Sequence, residues 1–159
     1  MKIMIPPATF DFKELITNPQ YYYVDKTSFI QELFELGDEV TLITRPRRFG
    51  KSLNISMLKY YFDIREDNKN LFKGLGIEKS DIFEQHLNKY PVIFLTFKDV
   101  KSDNWDECKS RFKAEIRREY REHKYLLESN KLDYVDKEYF KDIYEGKKEI
   151  DYALSIAEI

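Results

Sequence analysis

Between Val40 and Leu53 an apolar, β-branched run turns abruptly into a basic loop ending in Gly50-Lys51-Ser52, and a segment with helical spacing follows at once. This order constrains the chain more than any other stretch. Strand, loop and helix in succession bring a row of backbone N–H groups, a helix N-terminus and a lysine ammonium to one point. A triphosphate placed there would find most of its charge balanced. Each position asks for its residue type: Gly50 lets backbone approach phosphate, Lys51 supplies a mobile point charge, and Ser52 offers a small hard oxygen to Mg²⁺. The candidate binding residues are Arg47, Arg48, Phe49, Gly50, Lys51, Ser52 and Leu53, with Ser52 also the metal ligand through a bound nucleotide.

The loop departs from the general pattern at its start, where Arg45 stands in place of the first glycine and Pro46 follows. A residue before proline is pushed toward extended geometry, so Arg45 is expected to prolong the strand while Pro46 fixes φ at the turn. For Arg47 and Arg48 the reading stays open among added charge at the phosphates, contact with a nucleic acid or neighbouring subunit, and solvated surface.

At 159 residues the chain fits a single domain with a real core, and 12 Phe with 12 Tyr supply large side chains for it. The formal charge of −2 hides a cluster of cations at Arg45, Arg47, Arg48 and Lys51, while acids are spread over the predicted helices. A basic spot on a nearly neutral protein suits a local anion site better than a general nucleic-acid surface. Cys108, the single cysteine, has no disulfide partner and reads as a small core residue on a helix in a reducing interior. Neither a signal-peptide pattern nor a window of membrane-spanning length occurs, and the expected location is cytoplasmic.

Periodicity predicts a short helix within Phe10 to Ile16, an extended Tyr21-Tyr22-Tyr23-Val24, and a helix to Leu36 capped by Asp25 or Thr27 and stopped by Gly37. Val40 to Thr44 is the first strand, of the kind buried on both faces in a parallel sheet. A helix from about Gly50 to Asp63 follows, then a turn over Leu71 to Ile77, a short helix through His86-Leu87 and a second strand, Val92 to Phe97. From about Asp103 a stripe of Trp105, Cys108, Phe112, Ile116, Tyr120, His123 and Leu127 predicts a long helix, with Trp105 as a core anchor. Helices over Asp136 to Tyr144 and from Glu149 onward close the chain. The expected class is α/β: a partial phosphate-loop NTPase fold with a parallel sheet flanked by helices and a helix-rich C-terminal half. The last helix reaches Ile159 without a stop signal, which reads as an interrupted domain.

Tyr22-Tyr23-Val24-Asp25-Lys26-Thr27, then Thr44-Arg45-Pro46-Arg47-Arg48-Phe49-Gly50-Lys51-Ser52-Leu53, Met57-Leu58-Lys59-Tyr60-Tyr61-Phe62, Tyr90-Pro91-Val92-Ile93-Phe94-Leu95 and Lys98-Asp99-Val100 together resemble the predicted AAA-ATPase-like family of bacterial proteins. The resemblance runs from about Pro6 to the C-terminus, and arginine in place of the first glycine is that family's usual form. It implies an ATP-binding domain using Mg²⁺, an acidic Walker B type strand further on, and often a C-terminal domain of the PD-(D/E)XK nuclease superfamily. Residues 1–159 are then the N-terminal part of such a domain, ending before the acidic strand.

Asp99 is the only acidic candidate after an apolar run, but Lys98 interrupts the junction and no glutamate follows, so a turn is the simpler expectation. One ring of Tyr21, Tyr22 or Tyr23 could stack on a base, though packing is the simpler reading. His86 and His123 have no second ligand at metal spacing. The leading expectation is nucleotide binding by the loop, with little hydrolysis by this chain alone. The alternative is a nucleic-acid-binding module using Arg45, Arg47, Arg48 and Lys51, and a scaffold that lost its nucleotide is a third reading. Nucleic acid through the full-length protein and a homo-oligomer remain open as partners.

Overall fold

Helices carry the fold of the computed structural model, which describes residues 4–6 and 11–147. Asp11 caps the first, α1 (Phe12–Thr17), by accepting the Glu14 N–H at 2.9 Å, and Asn18 ends it before Pro19. α2 (Ser28–Leu36) stops at Gly37, whose φ of 62° gives the left-handed turn that glycine tolerates best. α3 (Lys51–Phe62) follows the basic loop, and 3₁₀ turns at Lys69–Phe72 and Gly76–Lys79 lead to the short α4 (Phe83–His86). Asn104 caps α5 (Trp105–Glu122), a 3₁₀ turn occupies Lys124–Glu128, and Asp133 caps α6 (Tyr134–Glu145). The helix expected from Glu149 onward lies outside the described residues.

The chain divides into two compact units, Met1–Val92 and Ile93–Ile159. In the first, Phe12, Ile30, Met57, Tyr61, Leu71, Phe72, Ile77, Phe83 and Leu87 make one core. Its centre is aromatic: Phe12 stacks on Phe72 at 5.2 Å, and Tyr61 meets Phe72 edge-on at 5.4 Å. The stretch Leu71 to Ile77, expected as a plain turn, instead sends Leu71, Phe72 and Ile77 inward from its 3₁₀ turns. In the second unit α5 and α6 close on Ile116, Tyr120, Phe140 and Ile143.

The expected parallel sheet is not formed. Among the described residues there is no strand ladder, only isolated parallel bridges between Met4 and Tyr21 and between Asp63 and Tyr90. A strand exists through its neighbours' hydrogen bonds, and neither apolar run finds a second strand within its own unit. Val40 and Leu42 are 85% and 83% exposed. In the other run the Phe94 N–H is satisfied by the buried Glu119 carboxylate of α5 at 3.1 Å rather than by a strand. The α/β class therefore gives way to a helical architecture.

Trp105 also departs from expectation, being 74% exposed. The fully buried side of α5 begins further along, at Ile116, Glu119 and Tyr120, and the first turn of the helix stands in solvent. Cys108, expected in the core, is only half-buried.

Candidate functional site

The loop between Pro46 and α3 is shaped by backbone that most side chains avoid. Arg48 has φ of 70° and Gly50 φ of 74°, while Arg47 and Phe49 keep negative values. Two left-handed residues one position apart turn the chain tightly into the start of α3. A Cβ at Gly50 would meet nothing within 4 Å, so the glycine is demanded by its backbone conformation and not by crowding.

Lys51 closes this loop. Its Nζ donates to the Pro46 carbonyl at 2.8 Å and also to the Arg45 carbonyl. An ammonium has three N–H donors, so this arrangement leaves one for an external acceptor. The first backbone hydrogen bond of α3 runs from the Asn54 N–H to the Gly50 carbonyl at 2.9 Å. The N–H groups of Lys51, Ser52 and Leu53 therefore have no acceptor within the helix, and the positive end of its dipole lies beside them. Ser52 is exposed in that first turn, and Leu53 is half-buried against the core.

The remaining loop residues face water. Phe49 is 66% exposed, and Arg45, Arg47 and Arg48 are exposed with no ion pair among the described residues. Arg45 does not prolong a strand. Its carbonyl is instead a Lys51 acceptor, as is that of Pro46.

α3 is fixed along its length. The Ser56 hydroxyl accepts the Phe12 N–H at 3.0 Å, Met57 and Tyr61 are fully buried, and the Tyr60 hydroxyl donates to Asp11 at 2.8 Å. Burial, with the Asp11 carboxylate alongside, pushes the Tyr60 phenol well above its ordinary pKa, and burial raises Tyr61 to about 12. At the far end Asn88, itself left-handed with φ of 54°, brackets the helix. Its Nδ2 donates to the carbonyls of Asp63 at 2.7 Å and Tyr60 at 3.1 Å, and its own N–H donates to Tyr61 at 2.7 Å. Burial works to raise the pKa of Asp63, but hydrogen bonds from Arg65 outweigh it and hold the carboxyl below its ordinary value.

Other candidates from the sequence lie elsewhere or do other work. Tyr23 packs edge-on against Phe12 and donates to Met57 Sδ at 3.6 Å, while Tyr22 is 59% exposed and Tyr21 pairs with Met4. Thr27 stands at the N-cap of α2 without capping it. Its hydroxyl donates to Asp25 at 2.7 Å and accepts the Ile77 N–H at 3.1 Å, and Asp25 accepts the Gly76 N–H at 2.7 Å. Asp25 and Thr27 thus tie the entry of α2 to the second 3₁₀ turn. Asp99 lies in an exposed turn of the second unit, where Arg111 binds its carbonyl at 3.0 Å. His86 sits against the Phe34 ring and beside the Tyr90 hydroxyl, and no cluster of metal ligands occurs among the described residues. Asn88 was not singled out from sequence. Its signal is an asparagine just past the end of a short helix, a position that favours left-handed backbone.

No helix among the described residues is long and apolar enough to cross a membrane. A family described as AAA-ATPase-like, Predicted AAA-ATPase, matches residues 6–154. An uncharacterized protein in the vnfD 5' region of Azotobacter chroococcum mcd 1 is 37% identical over 94 residues, covering 58% of this chain. The matched part is 17% of that relative's length. No solved structure matches the chain.

Proposed function

Because the chain belongs to the Predicted AAA-ATPase family, we propose that it binds ATP through the loop from Arg45 to Leu53. The observation that supports this reading is the closed loop itself. Lys51 is stretched back onto the Pro46 and Arg45 carbonyls across two left-handed residues, with unsatisfied helix N–H groups beside it. Backbone N–H groups of Arg47 to Ser52 hold the phosphate oxygens, the free Lys51 donor reaches the outer phosphates, and the helix dipole adds to both.

The donor set fits a magnesium nucleotide. Ser52 places a small exposed hydroxyl in the first helical turn, where it would serve as a ligand to the Mg²⁺ of a bound nucleotide. Bound there, that ion would neutralise charge and orient the phosphates. The chain's own part is binding and orientation: Gly50 keeps the loop open to the ligand, and the anchored α3 holds the donors in place.

Equilibrium titration of MgATP against the wild-type chain and Lys51→Ala tests the reading. Loss of a charge-assisted contact to phosphate costs roughly 1.5–3 kcal/mol, so the variant should bind about tenfold to a hundredfold more weakly. Equal affinity in both proteins would remove Lys51 from the site.

A further inference from the structure

The charges around the loop are lopsided. Residues 40 to 62 include Arg45, Arg47, Arg48, Lys51 and Lys59 but no aspartate or glutamate. Outside the loop, Arg65, Arg111 and Arg118 each meet a carboxylate at 2.5–2.6 Å. Arg45, Arg47 and Arg48 form no ion pair among the described residues, and Lys51 meets carbonyl oxygens, so four unneutralised cations converge on one short loop.

A nucleoside triphosphate carries about four negative charges near neutral pH, and its magnesium complex about two fewer. Magnesium at such sites is ordinarily held by one or two carboxylates together with the phosphates. This segment supplies the Ser52 hydroxyl and no acid, but it has guanidinium groups in excess of what the magnesium complex needs. Guanidinium pairs with phosphate through parallel N–H bonds and keeps its charge at every working pH. We infer that the loop arginines take over the charge-neutralising share of the divalent cation, so that the site holds the free triphosphate about as tightly as its magnesium complex. The inference rests on the nucleotide reading above. Magnesium then adds orientation through Ser52 but little affinity.

Calorimetric titration with ATP at fixed ionic strength, once in excess Mg²⁺ and once in EDTA, provides the test. The wild-type affinities should agree within about threefold, well under the tenfold that 1.4 kcal/mol represents. The variant Arg47→Ala/Arg48→Gly should lose at least about tenfold more affinity in EDTA than it loses in Mg²⁺, because metal alone then neutralises the phosphates. Glycine is chosen at position 48 to avoid adding strain at its left-handed backbone. The charge-preserving Arg47→Lys/Arg48→Lys should bind alike in the two conditions, and circular dichroism should show each variant folded. Wild-type binding that collapses in EDTA, or a neutral variant that weakens equally with and without metal, overturns the inference while leaving the nucleotide site standing. Failure of the wild type to bind ATP in either condition overturns the nucleotide reading, and the inference with it.

Discussion

Replacing Asn88 should destabilise the first unit more than any exposed-loop substitution, and the order among variants should reveal why. The carboxamide donates to Asp63 at 2.7 Å and to Tyr60 at 3.1 Å, and its oxygen accepts the Asn68 N–H at 2.9 Å. The contact with the Tyr61 carbonyl at 3.5 Å is too long to count for much. At about 1 kcal/mol net per good bond, removing the side chain costs roughly 3 kcal/mol. Alanine adds a further penalty of about 1 kcal/mol, because φ is 54° and a Cβ crowds the following carbonyl in left-handed backbone. Glycine escapes that penalty, so Asn88→Ala should lose about 4 kcal/mol and Asn88→Gly about 3 kcal/mol. Urea unfolding followed by circular dichroism measures the totals, and amide exchange in α3 assigns the loss to that helix. A change under about 0.5 kcal/mol in Asn88→Ala, or a glycine variant weaker than the alanine one, would refute the helix-bracket account, since surface substitutions fall in that range.

Asp63 should make stability depend on acid pH. Its folded pKa lies below the unfolded value near 3.9, so the contribution is complete above about pH 4 and is lost as pH falls through the folded pKa. Asp63→Asn should therefore be less stable at pH 7 by about 1–3 kcal/mol and should flatten the acid limb, and parallel unfolding curves from pH 2 to 7 would test this. Gly50→Ala should cost about 1 kcal/mol of stability from its φ of 74° alone, because the added methyl meets open space. ATP affinity measured on the same variant should fall with the loop geometry, whereas unchanged affinity would show that the left-handed turn is dispensable for binding.

Local signals in the sequence translated well where local chemistry decides the structure. Gly37 and the Gly50 boundary of α3 mark helix ends at which a left-handed residue is sufficient, and the helices observed end or begin there. The candidate loop was picked out for a related reason, since the residue types of Arg45 to Ser52 would carry the proposed chemistry whatever surrounds them. The sheet failed as an expectation because Val40 to Thr44 and Val92 to Phe97 look like strands only by composition. Pairing is a non-local property, and apolar β-branched character describes a segment that would suit a partner without supplying one. Trp105 failed for the converse reason. It lies on α5 as expected, but the buried residues of that helix are in its later turns, Ile116 and Tyr120, where α6 packs. Asn88 was missed because its bonds reach back to residues 60, 61 and 63, a contact that no window around position 88 contains.

The division between an anchored helix and a loosely attached loop also separates stability from binding. α3 is held at Ser56, Met57, Tyr60 and Tyr61 and bracketed by Asn88, all downstream of its first turn. Upstream, the loop is secured by the Lys51 ammonium on two carbonyls and by its own backbone turns, and Phe49 and the arginines bury little. Folding free energy comes mostly from burial and satisfied buried polar groups, so it is concentrated on the anchored part. Substitutions in the loop should then leave the core undisturbed, while the anchored helix keeps its N-terminal N–H groups in one place. Lys51 joins the two parts, because the side chain that closes the loop grows from the first residue of the rigid helix. A neutral residue there removes the loop's closure together with the charge proposed to meet the phosphates, so on the nucleotide reading Lys51 should weigh more on ATP affinity than on the stability of the unit that carries it.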